Sequence, residues 1–228
     1  MKFAVGFTVL SLAAFAQAHD DAEHAHEYHV DQDYERVTCG SSFKLAHAES
    51  DHRLHSQAVN YASGSGQRSV TALPHPDDPE SLWTVLAGHS AHPCKRAEPI
   101  KCNATIRLKH LSTGRFLHSH TFSSPISQNQ EVSAFPAPGD AGDDWVIHCE
   151  EPGAHGQTDY WEREKKVSLR HVDTASWLWS NKELSYGRPI AGHLEVAAVK
   201  NKDGEKSLWI AKEGIYFAEE EEDAKTEL

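Results

Sequence analysis

Leu54-His55-Ser56 and Leu117-His118-Ser119 are two copies of one motif, with Arg53 and Arg115 close by. Imidazole, guanidinium and hydroxyl groups in such a cluster could hold the paired hydroxyls of a sugar ring. Arg53, His55 and Ser56 make one candidate ligand set, and Arg115, His118 and His120 make a second. A third copy, Leu178-Trp179-Ser180, has lost the histidine and has Ser176 near the arginine's place, so its pocket is expected to be lost or changed. Histidine also serves as a general base. A single active centre does not need symmetric copies, however. Repetition points first to structure: a half-buried imidazole bonded to a neighbouring backbone group. There is no Gly-x-Ser-x-Gly elbow, phosphate-cradling glycine loop or His-Glu-x-x-His helix. The adjacent carboxylates Asp143 and Asp144 would point to opposite faces of a strand, a poor acid/base arrangement. We therefore expect no catalytic residue, no enzyme and no cofactor.

The elements that must position these groups follow from a longer repeat. Trp83, Trp145 and Trp209 recur at intervals of 62 and 64 residues. Arg68-Ser69-Val70-Thr71-Ala72 answers to Glu131-Val132-Ser133-Ala134 and to Glu195-Val196-Ala197-Ala198. Three copies of one unit, over 36–91, 99–154 and 159–214, are too small to bury an apolar face singly and must share a core. Short alternating runs such as Thr105-Ile106-Arg107-Leu108 read as half-buried strands, separated by turn signals such as Gly64-Ser65-Gly66 and Lys202-Asp203-Gly204. Strands on a threefold repeat predict an all-β β-trefoil: a closed barrel capped by three hairpins, about four strands per unit. Leu54, Leu117, Leu178, Val70, Val132 and Val196 should point inward. The three tryptophans should wedge between units with their indole N–H on backbone.

The ends read differently. A basic start, an apolar run over 3–15 and Ala16-Gln17-Ala18 form a secretory signal peptide over 1–18, too short to span a membrane. Residues 19–35 read as a flexible His- and acid-rich arm. Its histidines could bind Zn(II) or Cu(II) weakly on composition alone, but a solvated arm is the better reading, and no metal site is expected. The acidic tail, 218–228, closes on Lys225-Thr226-Glu227-Leu228, a luminal retention signal with Thr in place of Asp. The chain would be secreted if that tail went unrecognised. Cys39, Cys94, Cys102 and Cys149 suit an oxidising lumen, and the repeat favours pairing inside each unit, Cys39–Cys94 and Cys102–Cys149. Val167 would stand where the third unit's opening cysteine is missing. Asn103-Ala104-Thr105 is a glycosylation sequon. A formal charge of −12 argues against nucleic acid as partner.

Lys44-Leu45 or Arg107-Leu108, then Leu-His-Ser, Gln-x-Val-Ser-Ala and Trp resemble the MIR repeat of protein O-mannosyltransferases and of inositol trisphosphate and ryanodine receptors. Val37-Thr38-Cys39-Gly40-Ser41, Pro99-Ile100-Lys101-Cys102, Tyr186-Gly187-Arg188-Pro189-Ile190 and Glu213-Gly214-Ile215 narrow the resemblance to the stromal cell-derived factor 2 family, over about 37–217. The resemblance implies a β-trefoil of three MIR units in the endoplasmic reticulum lumen. It also implies a non-enzymatic role in folding and quality control. The implied partners are a J-domain co-chaperone, the luminal heat-shock chaperone, and unfolded or O-mannosylated clients. Binding of a mannose-type glycan is the alternative.

Overall fold

The computed structural model describes residues 34–89, 91–150 and 159–218. The signal peptide, nearly all of the arm and the retention tail lie outside these residues. Among those described, no helix is long and apolar enough to cross a membrane.

Twelve strands fall into three groups of four. The first holds β1 (Ser42–His47), β2 (Arg53–Asn60), β3 (Arg68–Leu73) and β4 (Leu82–Ala87). The second holds β5 (Thr105–His110), β6 (Phe116–Ser123), β7 (Gln130–Phe135) and β8 (Trp145–Cys149). The third holds β9 (Lys166–His171), β10 (Trp177–Ser185), β11 (Leu194–Val199) and β12 (Trp209–Ile215). The first and last strand of each group form a closed antiparallel barrel in the order β1, β4, β5, β8, β9, β12 and back to β1. The middle strands form hairpins β2–β3, β6–β7 and β10–β11. These hairpins meet pairwise in a triangle, Ser69 against Ser133, Glu131 against Ala197 and Glu195 against Thr71. A barrel closed by a triangle of hairpins is a β-trefoil, and closure leaves the barrel no open sheet edge.

The core has the same threefold order. Leu54, Leu117, Leu178, Val70, Val132 and Val196 are fully buried, each stabilising by roughly 1.5–3 kcal/mol. Trp83, Trp145 and Trp209 are also fully buried. Their indole N–H groups donate to the carbonyls of Leu54, Leu117 and Leu178 at 2.9, 3.0 and 3.1 Å. Each ring then packs on a histidine of the next unit, Trp83 on His110, Trp145 on His171 and Trp209 on His47, with centroids about 5 Å apart. The tryptophan thus satisfies its own unit and contacts the neighbour.

Two disulfides, Cys39–Cys94 and Cys102–Cys149, close the first two units. The third unit requires a correction. Val167 sits in β9 at the place of Ile106 in β5, the second residue of the unit's first strand. The residue matching Cys39 and Cys102 is Arg163, because Gly40, Asn103 and Glu164 all take positive φ (83°, 65° and 58°) at the following position. The arm also ends earlier than expected: Tyr34 and Glu35 lend their carbonyls to Arg163, at 3.2 and 2.7 Å.

Candidate functional site

A short 3-10 turn precedes the last strand of every unit, over Pro79–Ser81, Ala141–Asp143 and Gly204–Ser207. Its N-cap is an aspartate each time: Asp78, Asp140 and Asp203. The ring nitrogen of the Leu-His-Ser position faces this carboxylate. His55 Nε2 lies 3.8 Å from Asp78, His118 Nδ1 lies 3.5 Å from Asp140, and Trp179 Nε1 donates to Asp203 at 3.2 Å. Trp179 therefore keeps the contact by which the histidines brace the turn. Its replacement of histidine preserves an N–H aimed at a carboxylate.

The six candidate residues divide into distinct settings. Arg53 is almost fully buried and forks onto Glu213 of β12, its Nε donating at 3.2 Å, with Asp51 beside it. Ser56 is buried and donates to the Ser69 carbonyl at 3.0 Å, as Ser119 does to Glu131 and Ser180 to Glu195. The hydroxyl thus closes a hairpin in all three units. Arg115 reaches toward the Ala134 carbonyl at 3.5 Å. It is not the counterpart of Arg53. Strand register matches Arg53 with Phe116 and Trp177, and puts Arg115 one position earlier, with His52 and Ser176.

His55 and His118 are buried, not half-buried, and their partners are side chains, not backbone. His55 Nδ1 lies 3.5 Å from Thr71 Oγ1, which also pairs with His193 Nδ1 at 2.9 Å. Burial, with the neighbouring His193, lowers the His55 pKa to about 4. His120 Nε2 bonds Glu131 at 3.0 Å. Glu131 is itself fully buried and accepts from Ser65 of the preceding unit's hairpin loop. Glu195, its equivalent, accepts the amides of Ile126 and Ser127 at 2.7 and 2.9 Å. Both carboxylates tie a strand to the loop of the unit before it.

The sequence reading missed the histidines that do bond backbone. His47, His110 and His171 end the first strand of each unit and are almost completely buried. In each, Nδ1 meets a hydroxyl three residues on (Ser50, Thr113 or Thr174) at 2.9 Å. In each, Nε2 donates to a carbonyl of the 3-10 turn against which it packs, from Lys206, Glu80 or Gly142, at 2.8–3.1 Å. The carbonyl holds a proton on Nε2 and so orients the ring. Burial lowers all three pKa values. The pattern His-x-x-Ser/Thr at threefold spacing would have revealed them. Asp143 and Asp144 stand in the 3-10 turn and at its end, not on a strand. Asp143 meets His118 at 3.0 Å, and Asp144 accepts the His89 amide at 2.7 Å.

The MIR domain model matches residues 55–211. Human stromal cell-derived factor 2 is 46% identical over 183 residues, covering 79% of this chain and 82% of the relative. The chain belongs to the stromal cell-derived factor 2 family. The crystal structure of the SDF2-like protein from Arabidopsis thaliana, 39% identical, has a TM-score of 0.76 and covers 82% of this family member and 99% of its own chain. The S. cerevisiae protein O-mannosyltransferase complex, solved with its sugar donor, is 26% identical with a TM-score of 0.71. That match covers 85% of this family member but 27% of the transferase chain. Kinship and two disulfides fit the oxidising lumen of the secretory pathway.

Proposed function

We propose that this stromal cell-derived factor 2 family member is a non-enzymatic docking module of the endoplasmic reticulum lumen. It acts with a J-domain co-chaperone and the luminal heat-shock chaperone on unfolded or O-mannosylated clients. The observation that carries this reading is how the repeated polar groups are used. The buried imidazoles, serines and carboxylates of the three units are spent on turns, hairpins and unit-to-unit contacts. A shell so occupied supports a rigid surface. Retention by Lys225-Thr226-Glu227-Leu228 belongs to the same reading. So does N-glycosylation at Asn103, an exposed turn residue at the head of its sequon.

A second reading, binding of a mannose-type glycan, has one observation in its favour. A groove of about 330 Å³ lies between the hairpins of the second and third units. Exposed Phe122 lines it beside Ser123, Asn129 and Lys200, an aromatic face next to polar groups suited to a sugar. One pair of measurements separates the readings. The purified protein mixed with a luminal J-domain protein should lower light scattering from an aggregating, denatured client, while titration with mannose-type glycans leaves its amide resonances unmoved. Unchanged scattering together with shifts around Phe122 would reverse the order of the two readings.

A further inference from the structure

We propose that His118, Asp140 and Asp143 form a zinc site on the second unit, a property separate from the docking function. His118 Nδ1 lies 3.0 Å from Asp143 Oδ1 and 3.5 Å from Asp140 Oδ1, and the three atoms all lie within 4.8 Å of one another. Around a tetrahedral zinc with bonds of about 2.0–2.2 Å, donor atoms stand roughly 3.3–3.6 Å apart. One observed spacing falls in that range and the other lies 0.3 Å below it, so small side-chain shifts would admit the ion. Imidazole with carboxylate oxygen suits zinc better than calcium or magnesium, which favour all-oxygen shells.

Comparison of the units isolates what the brace itself requires. In the first unit, the histidine and N-cap aspartate stand alone, and the third turn position is Ser81. In the third unit, Trp179 and Asp203 do the same work, and that position is Ser207. Bracing therefore needs one ring N–H and one carboxylate. The second unit adds a second carboxylate, Asp143, at that third position, and buries it completely. Among the described residues, no lysine or arginine pairs with Asp143, and its ion-pair neighbour is the His118 ring. Two carboxylates against one imidazole leave excess negative charge at a buried group, a costly arrangement unless a cation is supplied. A divalent ion balances both carboxylates with the imidazole neutral.

The surroundings hold the donors ready. Asp143 Oδ2 accepts the Asp140 amide at 2.8 Å, leaving Oδ1 toward the histidine. Asp140 accepts the Gly142 amide at 2.8 Å. The His118 ring stacks on Phe135, with centroids 4.7 Å apart, and meets the edge of His120 at 5.3 Å. Gly142 leaves the ring its space, because a Cβ there would lie 2.3 Å from His118 Cε1. The Asp140 side chain is half exposed, so the remaining coordination position opens to water or to a donor on another chain.

Equilibrium dialysis of the full-length mature chain against micromolar zinc tests the site. Zinc held by the arm histidines His19, His24, His26 and His29 is common to every variant and cancels in the comparison. The unaltered chain is expected to hold one zinc equivalent that His118→Gln and Asp143→Asn lose, with affinity falling on the order of 100-fold. Asp140→Asn changes a half-exposed residue, so the folded state survives there even if Asp143→Asn unfolds, and it should weaken the same equivalent. Asp78→Asn, in the first unit, should leave zinc unchanged. The proposal is overturned if the unaltered chain binds no zinc, or if His118→Gln and Asp140→Asn bind as much as it does.

Discussion

Acidification should unfold this protein well before its carboxylates are protonated. Burial lowers the pKa values of His47, His55, His110, His171 and His193. For each, the unfolded chain, titrating near 6.5, binds a proton more readily than the folded one. Stability is therefore complete above about pH 6.5 and falls as the pH drops toward the folded values. His55, folded near 4, alone contributes about 2 kcal/mol of loss at about pH 5. The other four add in the same direction. Against a total of roughly 5–15 kcal/mol, the sum threatens the fold. Asp51 and Glu213 are held below the ordinary carboxylate range. Burial opposes this shift, but bonds from Lys212 and Arg53 outweigh it at Asp51, and the bond from Arg53 does so at Glu213. Their contribution is present above the ordinary carboxylate pKa and is lost only in stronger acid. Urea midpoints at neutral pH and at about pH 5 test the claim. A large fall is expected, and equal midpoints would show that the imidazoles are not buried neutral.

The second large effect is removal of the Cys102–Cys149 bridge. Its cysteines are 47 residues apart, and a loop of that length stabilises by about 4 kcal/mol in the chain-entropy model. Both cysteines lie beside the barrel: Cys102 N–H donates to the Asp159 carbonyl at 2.8 Å, and Cys149 ends β8. Replacing both cysteines with alanine removes the cross-link without leaving a free thiol. Calorimetry should show a much lower Tm for this double variant than for the parent protein. A loss below about 1 kcal/mol would mean that the unfolded chain was already compact and the bridge idle.

The fold was legible because its evidence is periodic. Leu54, Leu117 and Leu178, with the three tryptophans, mark one interior position in each unit, and shared burial follows from repetition. The tryptophan N–H bond to backbone was legible for a related reason: a fully buried indole needs an acceptor, and backbone is nearest. The candidate site was harder to read, because function was assigned from local neighbours. Arg53 and Arg115 look equivalent beside Leu-His-Ser, yet a one-residue offset in register sends Arg53 to Glu213 of β12. His118 and Asp143 are 25 residues apart and meet because a three-residue 3-10 turn folds the chain back toward the hairpin. No motif spacing announces such a meeting. The threefold His47, His110 and His171 were legible in principle. The more conspicuous Leu-His-Ser triplet drew attention from a second histidine repeat one strand earlier.

One measurement bears most directly on the claim that the molecule is a docking module of the lumen. Tagged protein is captured from microsomes without detergent during binding, and its partners are identified by mass spectrometry. The account predicts a J-domain co-chaperone and the luminal heat-shock chaperone in near-stoichiometric recovery. Capture of the tagged protein alone, in repeated preparations that retain the lumen's other complexes, would contradict it.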